Sequence, residues 1–285
     1  MAARLRGQPP CRPSVTPATL RGELALPTSS IGRRCAVVGS SDMLRLVPSG
    51  KDIDAHQLVW RVNNAPTHGW EAAVGSRTSM RIVNHVPIEK WLHLFANRTT
   101  SVSIDDSSDY QEPLCAPIHS EHGCMVSTLG AGASFKDTTL RSYHRSFPNH
   151  AIAQLSGALI RFGMRCTAEL GGSTPSTGLL TVLLALAVCG APVSLYGFWP
   201  FCCHAHRGWP RMNYKYSHGN RTRWVCCSRG REKMELEYSF YEALAASGLV
   251  RLVTGRPPES EQTNTDGTPA PRALSTHNMM PSAAG

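Results

Sequence analysis

The chain reads as an α/β protein with a mainly parallel sheet. Two observations predict this class. Short β-branched apolar runs recur between longer segments of helical periodicity, and several of those runs end in small or amide residues that turn the chain. Strands that alternate with helices pair in parallel, because each crossover helix returns the chain to the same end of the sheet. With 285 residues, 41% of them hydrophobic, the chain can bury one sizeable core. The expected architecture is a single Rossmann-like domain over about 34–256.

The elements follow in order. Residues 1–33 are dense in Arg, Pro, Ser and Thr with one acid, Glu23. They are expected to be a disordered leader, whether a stem remnant, a targeting segment or the start of a truncated gene. Ala36-Val37-Val38 is a buried strand ending in the turn Gly39-Ser40-Ser41. Leu58 to Val62 is a second strand, closed by Asn63-Asn64-Ala65-Pro66, and Ser79 to Asn84 a third. Pro87 to Ala96 is a helix with Pro in its first turn. Residues 100–147 are polar and irregular, a pattern that marks a functional or mobile stretch. Apolar spacing predicts a helix over Ala151 to Glu169. A second helix, Gly178 to Cys189, opens on the hydroxyl caps Ser176 and Thr177. Val193 to Phe198 is a strand, Met234 to Ala246 a helix and Leu249 to Val253 a last strand. The Pro/Ser/Thr/Gly composition of 257–285 predicts a disordered tail.

Charge and cysteines narrow the function. A formal net charge of +9 calls for an anionic partner. Nucleic acid is the ordinary reading of such a charge, but the basic residues form no stripe with interleaved aromatics, and a sugar nucleotide or an acidic glycan fits equally well; no nucleic-acid partner is expected. Ten cysteines are many for a reducing compartment. Together with the sequons at Asn97 and Asn220 they lean towards the secretory pathway. The longest apolar run, Leu179 to Cys189, is too short for the roughly 20 residues of a spanning helix, so a membrane association would need an anchor that this chain does not display. The cluster Cys202-Cys203-His204-Ala205-His206 with Cys226-Cys227 admits zinc, a local disulfide or free thiols. Adjacent cysteines are awkward for tetrahedral chelation, so no metal is assigned.

Two turns carry the candidate chemistry. The turn at Gly39-Ser40-Ser41 follows a strand, and the start of the helix at Ser176-Thr177-Gly178 offers unpaired N–H donors at a positive dipole end. Both arrangements suit a phosphate. At the ends of adjacent parallel strands they would form a nucleotide cleft; taken singly, each also reads as an ordinary turn or cap.

Cys35 to His85 and Pro175 to Pro200 resemble the long and short sialyl motifs of the eukaryotic sialyltransferases. The resemblance implies a modified Rossmann-like (GT-A-like) domain. It also implies transfer of sialic acid, with inversion, from CMP-sialic acid to a sugar hydroxyl of a glycoprotein or glycolipid, without cofactor, in the Golgi lumen. Asn63 matches the family asparagine before Ala-Pro. Ser40 stands where members carry Asn or Ser, with Ser41 beside it. Ser176, Thr177 and Gly178 match the family's donor-contacting Ser-Thr-Gly, and Trp199 matches the end of the short motif. Trp199-Pro200 looks like the α2,8-linking branch, whereas Asn-Ala-Pro-Thr and Val-Gly-Ser-Arg-Thr look like the α2,3 and α2,6 branches. Cys35 and Cys189 match the cysteines the family joins in a disulfide. The second bridge of the α2,8 branch has neither partner here, Ser49 standing at one place. In the His-x4-Glu motif the His position falls on Glu232 and the Glu on Glu237, which makes Glu232 a provisional base. The third motif appears as Lys215-Tyr216-Ser217-His218, with Lys215 in place of its first His, which makes Lys215 a provisional source of the positive charge that the departing phosphate needs. Those two departures leave open a catalytically inactive relative that keeps its nucleotide or glycan site.

Overall fold

The computed structural model describes residues 16–23, 32–96, 123–127, 139–189, 192–199, 215–217 and 232–254. The apolar runs form β1 (Cys35–Val38), β2 (Leu58–Val62), β3 (Met80–Asn84), β4 (Gly123–Ser127), β5 (Ile152–Gln154), β6 (Val193–Tyr196) and β7 (Val250–Val253). Between them lie α1 (Pro17–Glu23), α2 (Met43–Leu46), α3 (Gly50–Asp54), α4 (Glu71–Val74), α5 (His85–Ala96), α6 (Leu140–Ser146), α7 (Gly157–Glu169), α8 (Thr177–Cys189) and α9 (Glu232–Ala246). The sheet has the order β5-β4-β3-β2-β1-β6-β7, and every neighbouring pair is parallel. The chain first builds outward from β1 through β5, then returns to the other side of β1 with β6. The β1–β6 boundary is therefore a topological switch point.

Period-2 alternation divides the central strands between two cores. Val37, Trp60, Ile82 and Leu195 face a layer of α7, α8 and α9. Ala36, Val38, Val59 and Tyr196 face α2, α3 and α4. Helix α8 is apolar on all sides because it is buried on all sides, from Leu179 to Ala187. Cys35 at the start of β1 is disulfide-bonded to Cys189 at the end of α8. Cys166 in α7 is disulfide-bonded as well.

The structure departs from the sequence expectations in three places. Pro17–Glu23, inside the segment expected to be disordered, is helical, and its Leu20 is buried in the α8 core. The stretch 100–147 contains β4 and α6. The helix expected from Ala151 begins only at Gly157. Ile152–Gln154 is the edge strand β5, and Ser156 caps α7 by accepting the Leu159 N–H at 3.3 Å. The spacing of Ile152 and Leu155 suits either element, and the cap decides. The cluster from Cys202 to Cys227 and both sequons lie outside the described residues.

Candidate active site

The ends of four strands open onto one cleft. β1 runs into Gly39-Ser40-Ser41, β2 into Asn63, β3 into Asn84-His85 and β6 into Gly197-Phe198-Trp199. These residues, the start of α8 and one face of α9 (Met234, Glu237, Tyr238, Tyr241) line a cavity of about 370 Å³. Ser40, Ser41, Asn63, Ser176, Thr177, Gly178 and Trp199 all line it. The Gly39 turn and the Ser176 cap, 137 residues apart in sequence, thus meet at the C-terminal ends of parallel strands.

The turns after β1 and β6 touch, and their glycines allow it. A Cβ on Gly39 would stand 2.5 Å from the Gly197 carbonyl oxygen. The Gly39 N–H instead donates to the Tyr196 carbonyl at 2.8 Å, and Ser41 N–H to that of Gly197 at 3.3 Å. Ser41 is buried, and its hydroxyl accepts the Met43 N–H at 3.3 Å, so it shapes the turn. The Ser40 hydroxyl has no partner among the described residues and is left to the cleft.

Asn63 is the one non-glycine residue with positive φ among the described residues, at 56°. Asn tolerates that conformation better than most side chains. The Arg81 guanidinium donates to its carbonyl at 2.8 Å and to that of Ala65 at 3.0 Å. Its own Oδ1 accepts the Asn84 N–H at 3.0 Å. This ties the end of β2 to the end of β3 and leaves the Asn63 amide nitrogen at the cleft.

At the start of α8, Glu237 takes what Ser176 has to give. Its carboxylate is only 2% exposed. It accepts the Ser176 N–H at 2.6 Å and also the Ser176 hydroxyl, while the same hydroxyl oxygen accepts the Leu179 N–H at 3.0 Å. Ser176 is thereby a cap fixed by α9, and the free donors of the helix start are Thr177 and Gly178, whose N–H groups have no acceptor one turn back. Tyr241 donates to Glu237 at 3.5 Å, and burial, reinforced by the Glu237 charge, raises its phenol well above the ordinary value. Burial also pushes Tyr238 up to about 12, with Glu242 adding to it. Both phenols are neutral at physiological pH. Trp199 packs on Met43 at the rim, and Phe198 meets Tyr241 edge-on at 5.2 Å.

Of the two provisional catalytic residues, Lys215 lies in a short turn whose Tyr216 N–H donates to the Ser40 carbonyl at 3.1 Å. The Tyr216 hydroxyl bonds the Pro66 carbonyl, so this segment braces the Ser40 turn from behind. Lys215 itself is not among the lining residues. Glu232 opens α9, and its side chain lies outside the described residues. Glu237, Asn84 and Tyr241 are cleft residues that composition and spacing did not single out for ligand binding. Among the described residues no group of three or more His, Cys, Asp or Glu is placed to hold a metal, and no helix is long and apolar enough to cross a membrane.

The model of glycosyltransferase family 29 (sialyltransferase) matches residues 15–249. The chain belongs to this family. Among the curated sialyltransferases it resembles, CMP-N-acetylneuraminate-beta-galactosamide-alpha-2,3-sialyltransferase 1 of Mus musculus is 28% identical over 79% of this chain and 60% of its own length. The protein of the same name from Gallus gallus is 32% identical over 58% of this chain and 44% of its own. The chain thus spans about three fifths or less of these relatives. A crystal structure of a mammalian sialyltransferase aligns over 88% of this chain and 82% of that chain, at 23% identity and a TM-score of 0.47. In this sialyltransferase-family chain, the Cys35–Cys189 disulfide implied by the motif resemblance is present.

Proposed function

We infer that this protein transfers sialic acid from CMP-sialic acid to a sugar hydroxyl of a glycoprotein or glycolipid, with inversion and without an obligatory metal. What carries the reading is the meeting of the Gly39 turn and the Ser176 cap in one cleft at the switch point of a family-29 chain. In this reading the Ser40 hydroxyl, the Asn63 amide and the N–H groups of Thr177 and Gly178 receive the donor's phosphate and carboxylate, with Trp199 beside them. The acceptor oxygen bonds to the anomeric carbon, the bond from that carbon to the phosphate oxygen breaks, and CMP departs with the electron pair. The hydroxyl proton passes to a base, for which Glu232 is the candidate. Lys215 does not line the cleft but sits on the segment bonded to the Ser40 carbonyl, so the positive charge it offers the departing phosphate acts as a field and not as a direct contact. The names of the relatives support a beta-galactosamide acceptor and an alpha-2,3 linkage. The family setting supports the Golgi lumen.

One observation favours a second reading, a family member that binds CMP without turnover. Glu232 stands where the family carries its His, five residues before Glu237 in α9. CMP release from CMP-sialic acid, measured with a panel of acceptors for the wild type and Glu232→Gln, separates the two. A fall of roughly 100-fold in the variant supports the base. Equal rates remove Glu232 from that role. CMP binding with no release in either protein selects the second reading, and absence of CMP binding defeats both.

A further inference from the structure

A second cavity, of about 480 Å³, lies at the other end of the central strands, where Cys35 begins β1 and Pro192 leads into β6. Three arginines line it, Arg33, Arg34 and Arg251, against one carboxylate, Asp52. That carboxylate is already engaged: it accepts from Arg251 Nη2 at 3.1 Å and from the Tyr196 hydroxyl. Tyr196 in turn accepts from Arg251 at 3.0 Å, which fixes this guanidinium while leaving its Nε and Nη1 without partners among the described residues. Arg34 spends one N–H on the Ala55 carbonyl at 3.2 Å, and neither Arg33 nor Arg34 has a carboxylate partner among the described residues. His56 adds no donor, since its Nδ1 faces the Asp52 carbonyl at 2.9 Å and its Nε2 the Ser194 hydroxyl at 3.1 Å.

Among the described residues, three arginines against one neutralised aspartate leave the cavity with two uncompensated positive charges and several outward N–H donors. Guanidinium forks match tetrahedral oxyanions better than any other common side chain. The arginines here are exposed, so the site is open to solvent and its affinity is expected to be modest and to weaken with salt. We propose that this cleft is a second anion site, one that binds the phosphate or sulfate group of a ligand at the opposite end of the sheet from the CMP cleft. The site is independent of the transfer reaction and of which reading of that reaction holds.

Calorimetric titration of the whole protein with inorganic phosphate and with inorganic sulfate tests it, with potassium chloride at matched ionic strength as the blank. Further arms use galactose 6-phosphate and galactose 6-sulfate to tell a sugar phosphate from a sulfated glycan. The expected result is one site whose affinity falls roughly tenfold in Arg33→Gln/Arg34→Gln. It should stay unchanged in Arg141→Gln/Arg145→Gln, an exposed pair elsewhere, and in protein saturated with CMP. Both arginines of the test pair are exposed, so the variant keeps its fold. Binding of either ester supports the site, and the tighter one names the source. An equal fall in the two double variants, displacement by CMP, or no binding of any of the four anions overturns it.

Discussion

Removing Glu237 tests whether α9 holds the start of α8 in place. In Glu237→Ala, Ser176 loses the acceptor of its N–H at 2.6 Å and of its hydroxyl, and Tyr241 loses a weaker one at 3.5 Å. Hydrogen bonds to a charged group contribute about 1.5–3 kcal/mol each. Ser176 is only half-buried, so cleft water recovers part of that loss. The expected cost is about 2–4 kcal/mol, read as a shift of the urea midpoint at constant slope. Glu237→Gln keeps the shape and one acceptor. It allows the Ser176 hydroxyl to accept instead of donate, which frees that proton for a ligand and removes a buried negative charge beside the cleft. Its expected cost is about 1 kcal/mol, with CMP affinity equal to or above wild type, whereas the Ala variant loses about tenfold in CMP binding as the cap loosens. Urea melts with CMP titrations decide. An Ala variant within about 0.5 kcal/mol of wild type would show that α9 does not hold the cap.

Three further outcomes follow from the geometry. Gly39→Ala places a methyl 2.5 Å from the backbone of Gly197 and must part the turns after β1 and β6. The expected result is a loss of about 1–3 kcal/mol and of CMP binding, against little stability change in Ser40→Ala; a Gly39→Ala protein that binds CMP normally would refute it. The double substitution Cys35→Ser/Cys189→Ser releases a closure with a sequence separation of 154. In the chain-entropy model this lowers stability by about 5 kcal/mol, and a drop under about 1 kcal/mol by denaturant melts would mean that the reduced chain keeps the closure by packing alone. Burial lowers the His150 imidazole below its ordinary 6.5, and its Nδ1 is 2.8 Å from the Tyr143 hydroxyl. The unfolded chain therefore binds the proton first as pH falls, so stability present above about 6.5 is lost below it. Urea midpoints at about pH 7.5 and 5.5 should fall more in the wild type than in His150→Phe.

Much of this architecture is legible in the sequence, for reasons tied to particular residues. The runs at 36–38, 58–62 and 193–196 are buried on both faces, so they are largely apolar, interrupted only by Arg61 and Ser194, and bounded by turn residues. Ser176 read as a cap because a hydroxyl before a long apolar helix has few other uses, and it does accept the Leu179 N–H. β5 was hidden because three residues give no period of their own and Leu155 extends the helical spacing backwards. Glu237 was placed by motif position alone. Helix α9 is rich in acids, and nothing local distinguishes Glu237, which turns inward, from Glu235 and Glu242, which do not. That distinction depends on Ser176, some sixty residues earlier in the chain. The second cavity combines Arg33, Arg34, Asp52 and Arg251, residues too far apart in sequence for any spacing rule to join them.

The order of the strands also bears on how the molecule is made. On the ribosome, β1 through β5 can pair as they emerge, but the slot beside β1 stays open until β6 is synthesised. Cys35 likewise waits for a partner 154 residues downstream. At 5–20 residues per second that interval is roughly 8–30 s, during which the thiol is exposed to any oxidant or stray cysteine. A translational pause before β6 would lengthen this stage, in which both the edge of β1 and the Cys35 thiol are unpartnered.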